Sequence, residues 1–178
     1  MEEELVLVKP SEEYVTELLA YKKDFLENSD SMDGCGPLRR FDDMKAYLDW
    51  TKSCENPQTV PEGRVAASQF LCIRKSDSRL VGTIQVRHYF NEYLEKYAGH
   101  IGYSVRPSDR RKGYATWMLK NIQPFCKSIG LDRILVCCLD DNAGSRKTIL
   151  KNGGVYDGTV YCEQKQESLE RYWIDLKE

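Results

Sequence analysis

Arg110, Arg111, Lys112 and Gly113 stand together in the chain and run on into Tyr114, Ala115 and Thr116. Backbone N–H groups at the start of a helix, helped by cations and by a residue without a Cβ, form a cradle for phosphate oxygens. Gly113 and Ala115 leave the main chain open to close approach, which a larger side chain would deny. The pattern R-x-x-G-x-A is short enough to recur by chance, and a solvated turn before a helix would look the same. Its position gives it weight: a β-rich run ends at Val105, Pro107 turns the chain, and a helical pattern starts near Tyr114. Asn142 and Ser145 form a second group where another helix should begin, and both residue types also cap helices.

These groups need a scaffold, and the hydrophobic periods outline one. A short strand at 4–9 stops at Pro10, and Val15, Leu18, Leu19, Tyr21, Phe25 and Leu26 then make a helical stripe with Ser11 as its cap. Phe41, Met44, Tyr47, Leu48 and Thr51 make a second stripe, and the Pro- and Asn-containing stretch 53–63 is a loop. Residues 65–74 and 79–88 read as a hairpin, 90–97 as a helical spacing, and 100–106 as a strand. A helix from Tyr114 carries a proline at 124 that should kink it, and Gly130 ends it. A strand at 133–138, a helix at 143–151 and two strands near 155–162 and 170–176 follow. The order β-α-α-β-β-(α)-β-α-β-α-β-β is mixed α/β.

The composition excludes several classes of function. The 178 residues hold 26 Lys plus Arg against 28 Asp plus Glu, a net charge of −2, with 41% hydrophobic and 30% charged residues. That balance fits one globular, cytoplasmic domain, and no basic run is long enough to make nucleic acid the main partner. No apolar run approaches the ~20 residues of a membrane span, and the acidic start MEEELVLVKPSEE lacks the layout of a signal peptide. Seven cysteines, an odd number with no C-x-x-C, read as reduced thiols, with Cys137 and Cys138 as small packers of a buried strand. His88 and His100 lie too far apart to share a metal on one helix or turn.

With both motifs in place, the chain resembles the GNAT family of acetyl-CoA-dependent N-acetyltransferases, in a bacterial-type form. V-R-P-S-D-R-R-K-G-Y-A-T at 105–116, D-D-N-A-G-S-R-K at 140–147 and K-N-G-G at 151–154 carry the resemblance. It covers 65–176 well and 1–52 in layout. It implies one domain over 1–178: a twisted, mixed but mostly antiparallel sheet of about six to seven strands, flanked by about four to five helices. Residues 1–52 would wall the acceptor side and 65–176 hold the cofactor. Acetyl-CoA would be the co-substrate, with no metal. The resemblance gives Arg110, Gly113 and Ala115 to the pyrophosphate, with backbone amides from Arg111, Lys112 and Tyr114 and the hydroxyl of Thr116. Val105 would pair with the pantetheine arm, and Asn142 and Ser145 would begin the helix beside it.

Acetyl transfer to an amine needs a neutral amine, a polarised thioester carbonyl and a proton for the departing thiolate. A strand-end N–H near Val105 suits the carbonyl. The family often carries a tyrosine acid seven residues after that asparagine, where this chain has Ile149. Tyr103, Tyr156, Cys138 and Ser145 are possible substitutes, with Tyr103 the candidate acid. His100, Glu92 and His88 are candidate bases, and proton loss to water before binding is the route without one. The acceptor would be a small-molecule or peptide amine. Asp30, Asp33, Asp42 and Asp43, with Trp50, Tyr89, Tyr93 and Trp173, would suit a cation, or simply be a solvated loop and an aromatic core. The last strands offer an edge through which two copies could pair.

Two other readings compete with the enzyme. A non-catalytic acyl-CoA-binding module would explain Ile149. A Rossmann-type nucleotide binder lacks both G-x-G-x-x-G and G-x-x-x-x-G-K-[ST] here.

Overall fold

The computed structural model describes residues 4–176. The strands are β1 (Leu5–Val8), β2 (Ala67–Arg74), β3 (Arg79–Arg87), β4 (Ile101–Val105), β5 (Arg133–Leu139), β6 (Val155–Cys162) and β7 (Glu167–Asp175). The helices are α1 (Val15–Glu27), α2 (Met44–Ser53), α3 (Tyr114–Asn121), α4 (Gln123–Ser128) and α5 (Ala143–Lys151). The strands form one sheet in the order β1-β2-β3-β4-β5-β7-β6. Every neighbouring pair is antiparallel except β4 with β5, which run parallel.

Each face of the sheet carries its own apolar layer. Leu18, Tyr21 and Phe25 of α1 and Met44 and Tyr47 of α2 pack with Leu71, Ile73 and Leu80 on one face. Met118, Leu119 and Ile122 of the α3–α4 region and Ile149 of α5 pack with Ile84, Val86, Ile134 and Val136 on the other. Burying such side chains is the main force holding helices to the sheet, at roughly 1.5–3 kcal/mol for each large aliphatic one.

Three local expectations are refined by the chain's own chemistry. Ser11 precedes a 3-10 turn at Glu12–Tyr14 and makes no side-chain cap. The helical spacing around 90–97 yields only a π-helical turn at Leu94–Ala98. Pro124 divides the long helix into α3 and α4 and lies in the first turn of α4, where a missing N–H costs little.

Between α1 and α2 the chain crosses back over the sheet at Gly34, which has φ +69. A Cβ there would sit 2.4 Å from Tyr103 Cα, so only glycine lets this loop lie on the backbone of β4. The Asp33 carbonyl accepts hydrogen bonds from the hydroxyls of Ser104 and Thr83, which fastens the loop.

Candidate functional site

The parallel junction of β4 and β5 is a single residue pair, Ile101 with Val136. On the other side of β4, the Arg87 N–H donates to the His100 carbonyl and the Arg106 N–H to the Val81 carbonyl, both at 2.8 Å. Strand alternation therefore turns the main-chain groups of Ile101, Tyr103 and Val105 toward β5. Past Ile101 the two strands part, and Tyr103 and Val105 face an opening instead of a partner. A cleft of about 950 Å³ occupies it, lined by both strands, by the start of α3 and by the start of α5.

The turn between β4 and α3 is held from below. Asp109 is buried and accepts from Arg74 Nη1 at 3.1 Å, Arg79 Nε at 2.7 Å and Lys112 Nζ at 3.1 Å. Burial raises its pKa, but the bonds from Arg79 and Lys112 outweigh that and leave it below the ordinary value. Arg111 (φ 63) and Gly113 (φ 84) both take left-handed backbone, which folds the turn into a concave loop. Nothing lies within 4 Å of a Cβ built on Gly113, so this wall is open to a ligand. Arg110, Arg111, Gly113, Tyr114, Ala115 and Thr116 all line the cleft. The side chain of Lys112 is spent on Asp109. Arg110 donates to the Val105 carbonyl at 3.2 Å and pairs with Asp30 at 2.6 Å, at the mouth of the opening.

The opposite wall is α5. Asn142 caps it, its Oδ1 accepting the Ser145 N–H at 3.0 Å, and both residues line the cleft. Tyr103 reaches across to place its hydroxyl 2.6 Å from Ser145 Oγ. Burial pushes the Tyr103 pKa well up, so the phenol keeps its proton at neutral pH. Cys137 and Cys138 line the cleft too, with pKa values raised by burial to about 12 and about 11. Both are thiols at neutral pH, which removes them as nucleophiles. Ile149 is fully buried against Gly154, where a Cβ would meet Ile149 Cγ2 at 2.4 Å, so this position faces the core.

None of the three expected bases lines the cleft. His100 is 5% exposed, and its Nδ1 accepts the Leu135 N–H at 3.0 Å. Its ring lies 4.0 Å from that of Phe90, and burial with the nearby Arg87 charge lowers its pKa to about 4. Gly99, with φ +67, turns the chain just before β4 and sends this ring into the packing under Trp173. His88 Nε2 lies 2.8 Å from Ser68 Oγ, beside Phe125. Glu92 is exposed. The acidic residues of the first helices are also mostly committed. Asp30 is on Arg110, Asp42 pairs with Lys22 at 3.3 Å, and Asp43 accepts the Lys45 N–H at the start of α2. Asp33 alone of the four reaches the inner cleft without a cationic partner among the described residues.

Arg87 escaped the sequence reading, since it ends a strand and nothing in its neighbourhood marks it. It lines the cleft and also a second cavity of about 670 Å³ that opens from it toward α2. Among the described residues no group of three or more His, Cys, Asp or Glu could hold a metal ion, and no helix is long and apolar enough to cross a membrane.

Comparison with known proteins agrees with this geometry. No curated protein matches the chain in sequence. The microcin C7 self-immunity acetyltransferase MccE, solved in complex with acetyl-CoA and AMP, matches with a TM-score of 0.70 at 16% identity, over 98% of this chain and 93% of that one. A GNAT-family acetyltransferase from Bacillus anthracis matches with a TM-score of 0.66 at 21% identity, over 100% and 99%. A dodecameric spermidine N-acetyltransferase from Vibrio cholerae matches with a TM-score of 0.65 at 12% identity, over 97% and 94%. At such identities the likeness is one of fold. The family model for the acetyltransferase (GNAT) domain matches residues 5–155, and the chain belongs to the GNAT acetyltransferase family.

Proposed function

We propose that this protein transfers the acetyl group of acetyl-CoA directly to a primary amine, with donor and acceptor bound together. The parting of β4 from β5 after Ile101 carries the reading, because it exposes strand main chain beside an anion-binding turn. Arg110, Arg111, Gly113, Tyr114, Ala115 and Thr116, with the Lys112 amide, hold the pyrophosphate. Asn142 and Ser145 border the arm, and the Val105 main chain pairs with it. Acetyl-CoA, when bound, supplies an acyl carbon activated by a thioester.

The N–H groups of Tyr103 and Val105 face that opening and polarise the carbonyl. The amine nitrogen forms the new C–N bond as the C–S bond breaks. The phenol of Tyr103 gives its proton to the leaving sulfur, and the amine proton departs to water at the open mouth. This leaves His88, Glu92 and His100 outside the chemistry.

The test is release of free coenzyme A from acetyl-CoA in the presence of a panel of primary amines, with the acetylated amine identified by mass. Amine-dependent release supports the reading. Tight binding of acetyl-CoA with no release for any amine would favour the non-catalytic module that the family's missing tyrosine, Ile149 here, allows.

A further inference from the structure

The second cavity differs in charge from the rest of the molecule. The chain as a whole carries −2, yet Arg40, Arg64, Arg87 and Lys165 line this cavity against the carboxylates of Asp33 and Glu62. Arg39 lines it too, although one of its guanidinium nitrogens already donates to the Asp30 carbonyl. Arg40, Arg64 and Lys165 are exposed at the rim, and Arg64 lies 5.4 Å over the ring of Trp50. Exposed cations of this kind attract an anion over a distance and contribute little each once it arrives.

Arg87 is different. It stands where the two cavities meet, and its Nη1 donates to the carbonyls of Ala98 at 3.3 Å and Gly99 at 3.2 Å. Among the described residues no carboxylate forms an ion pair with it. Burial disfavours its charge above all; Cys137, Asp33 and Tyr93 favour it, and Arg64 opposes it by less. The inner guanidinium is desolvated, spends Nη1 on two carbonyls, and has no carboxylate bonded to it among the described residues, although Asp33 lines the same two cavities. A carboxylate or phosphate would meet that guanidinium with a forked, charge-assisted pair of hydrogen bonds. The amine of the same molecule would then lie toward Asp33 and the opening of β4, which line the adjoining cleft.

We infer that the acceptor is an amine that also bears an anionic group, a carboxylate or a phosphate, which Arg87 binds at the junction of the two cavities under steering from Arg64 and Lys165. The inference rests on the acetyl-transfer reading and narrows its acceptor. It replaces the cationic acceptor suggested by the acidic residues of the first helices, most of which are paired elsewhere.

The experiment compares matched amines in the wild-type protein. ω-Amino acids of increasing length are set against their amides, phosphoethanolamine against ethanolamine, and spermidine serves as the cationic control. The kcat/KM of the best acid should exceed that of its neutral twin by about 10- to 150-fold, the span of one hydrogen bond to a charged group. The carboxylate and phosphate arms show which anion is read. In Arg87→Gln that ratio should collapse toward one, with Arg87→Lys between, and Arg64→Gln should lower both the preference and its salt dependence.

Neutral twins or spermidine turning over as well as the acids would overturn the inference, as would an acid preference that survives in a folded Arg87→Gln. Should Arg87→Gln fail to fold, the wild-type pairs and Arg64→Gln, at an exposed position, decide alone. If no amine turns over, acetyl transfer fails but the anion site is still read by thermal shift of the coenzyme A-loaded protein. Stabilisation by acids and not by amides supports it, and any other pattern overturns it.

Discussion

The hydroxyl of Tyr103 lies 2.6 Å from Ser145 Oγ, joining the strand at the edge of the opening to the helix on its far side. Burial keeps the phenol protonated, and the hydrogen bond to Ser145, which lowers its pKa, favours the phenolate left when the proton passes to a leaving sulfur. Tyr103→Phe should lower kcat by about 10²-fold, the lower end for a positioned acid, with acetyl-CoA affinity little changed. Single-turnover kinetics with the best amine would check this. A full-rate Tyr103→Phe would give the proton another source.

Gly113 stands at the head of α3 with φ 84 and open space beyond its Cβ position. Gly113→Val should abolish measurable acetyl-CoA binding by filling the space that the pyrophosphate needs. The left-handed backbone adds a stability cost of about 1–2 kcal/mol, because a Cβ crowds the next carbonyl there. Calorimetric titration and urea unfolding separate the two effects.

Asp109→Asn should remove about 3 kcal/mol of stability, since it leaves buried guanidinium bonds short of a charge. The folded pKa of Asp109 lies below its ordinary 3.8, so its contribution is present above that value and lost as pH falls through the folded value. The acid limb of the unfolding curve of Asp109→Asn should therefore be shallower than that of the wild type.

His100 gives pH dependence in a different window. Its folded pKa is lowered to about 4 from 6.5, so the unfolded chain takes up the proton first as pH falls. Stability should be level above pH 6.5 and fall between 6.5 and about 4, by roughly 3 kcal/mol in all. His100→Asn keeps an acceptor for the Leu135 N–H, should flatten that part of the curve, and should leave acetyl-CoA affinity unchanged.

The parts of the site legible in the sequence were those written in local chemistry. Pro107, Gly113 and the residues between mark a turn into a helix, and Asn142 marks a helix start, so the walls of the cleft could be placed. The opening itself could not, because nothing in HIGYSVR says that β5 pairs with Ile101 and then leaves. His100 looked like the start of a strand facing the cleft, but Gly99 at φ +67 breaks the alternation just before it. Arg87 and Gly34 meet over β4 only through tertiary packing, from sequence positions more than fifty apart. The tyrosine missing at 149 reads differently once its place is seen, since that position is part of the core.

The central claim is that the opening between β4 and β5 binds acetyl-CoA, and thermal unfolding with and without the ligand tests it most directly. Acetyl-CoA at 100 times its dissociation constant should add about 2.7 kcal/mol, which for a chain of this length is an upward shift of roughly 5–11 °C. The account requires that shift in the wild type, its loss in Gly113→Val, and no comparable effect from NADH or ATP. No shift with acetyl-CoA, or an equal shift in a folded Gly113→Val, would contradict it.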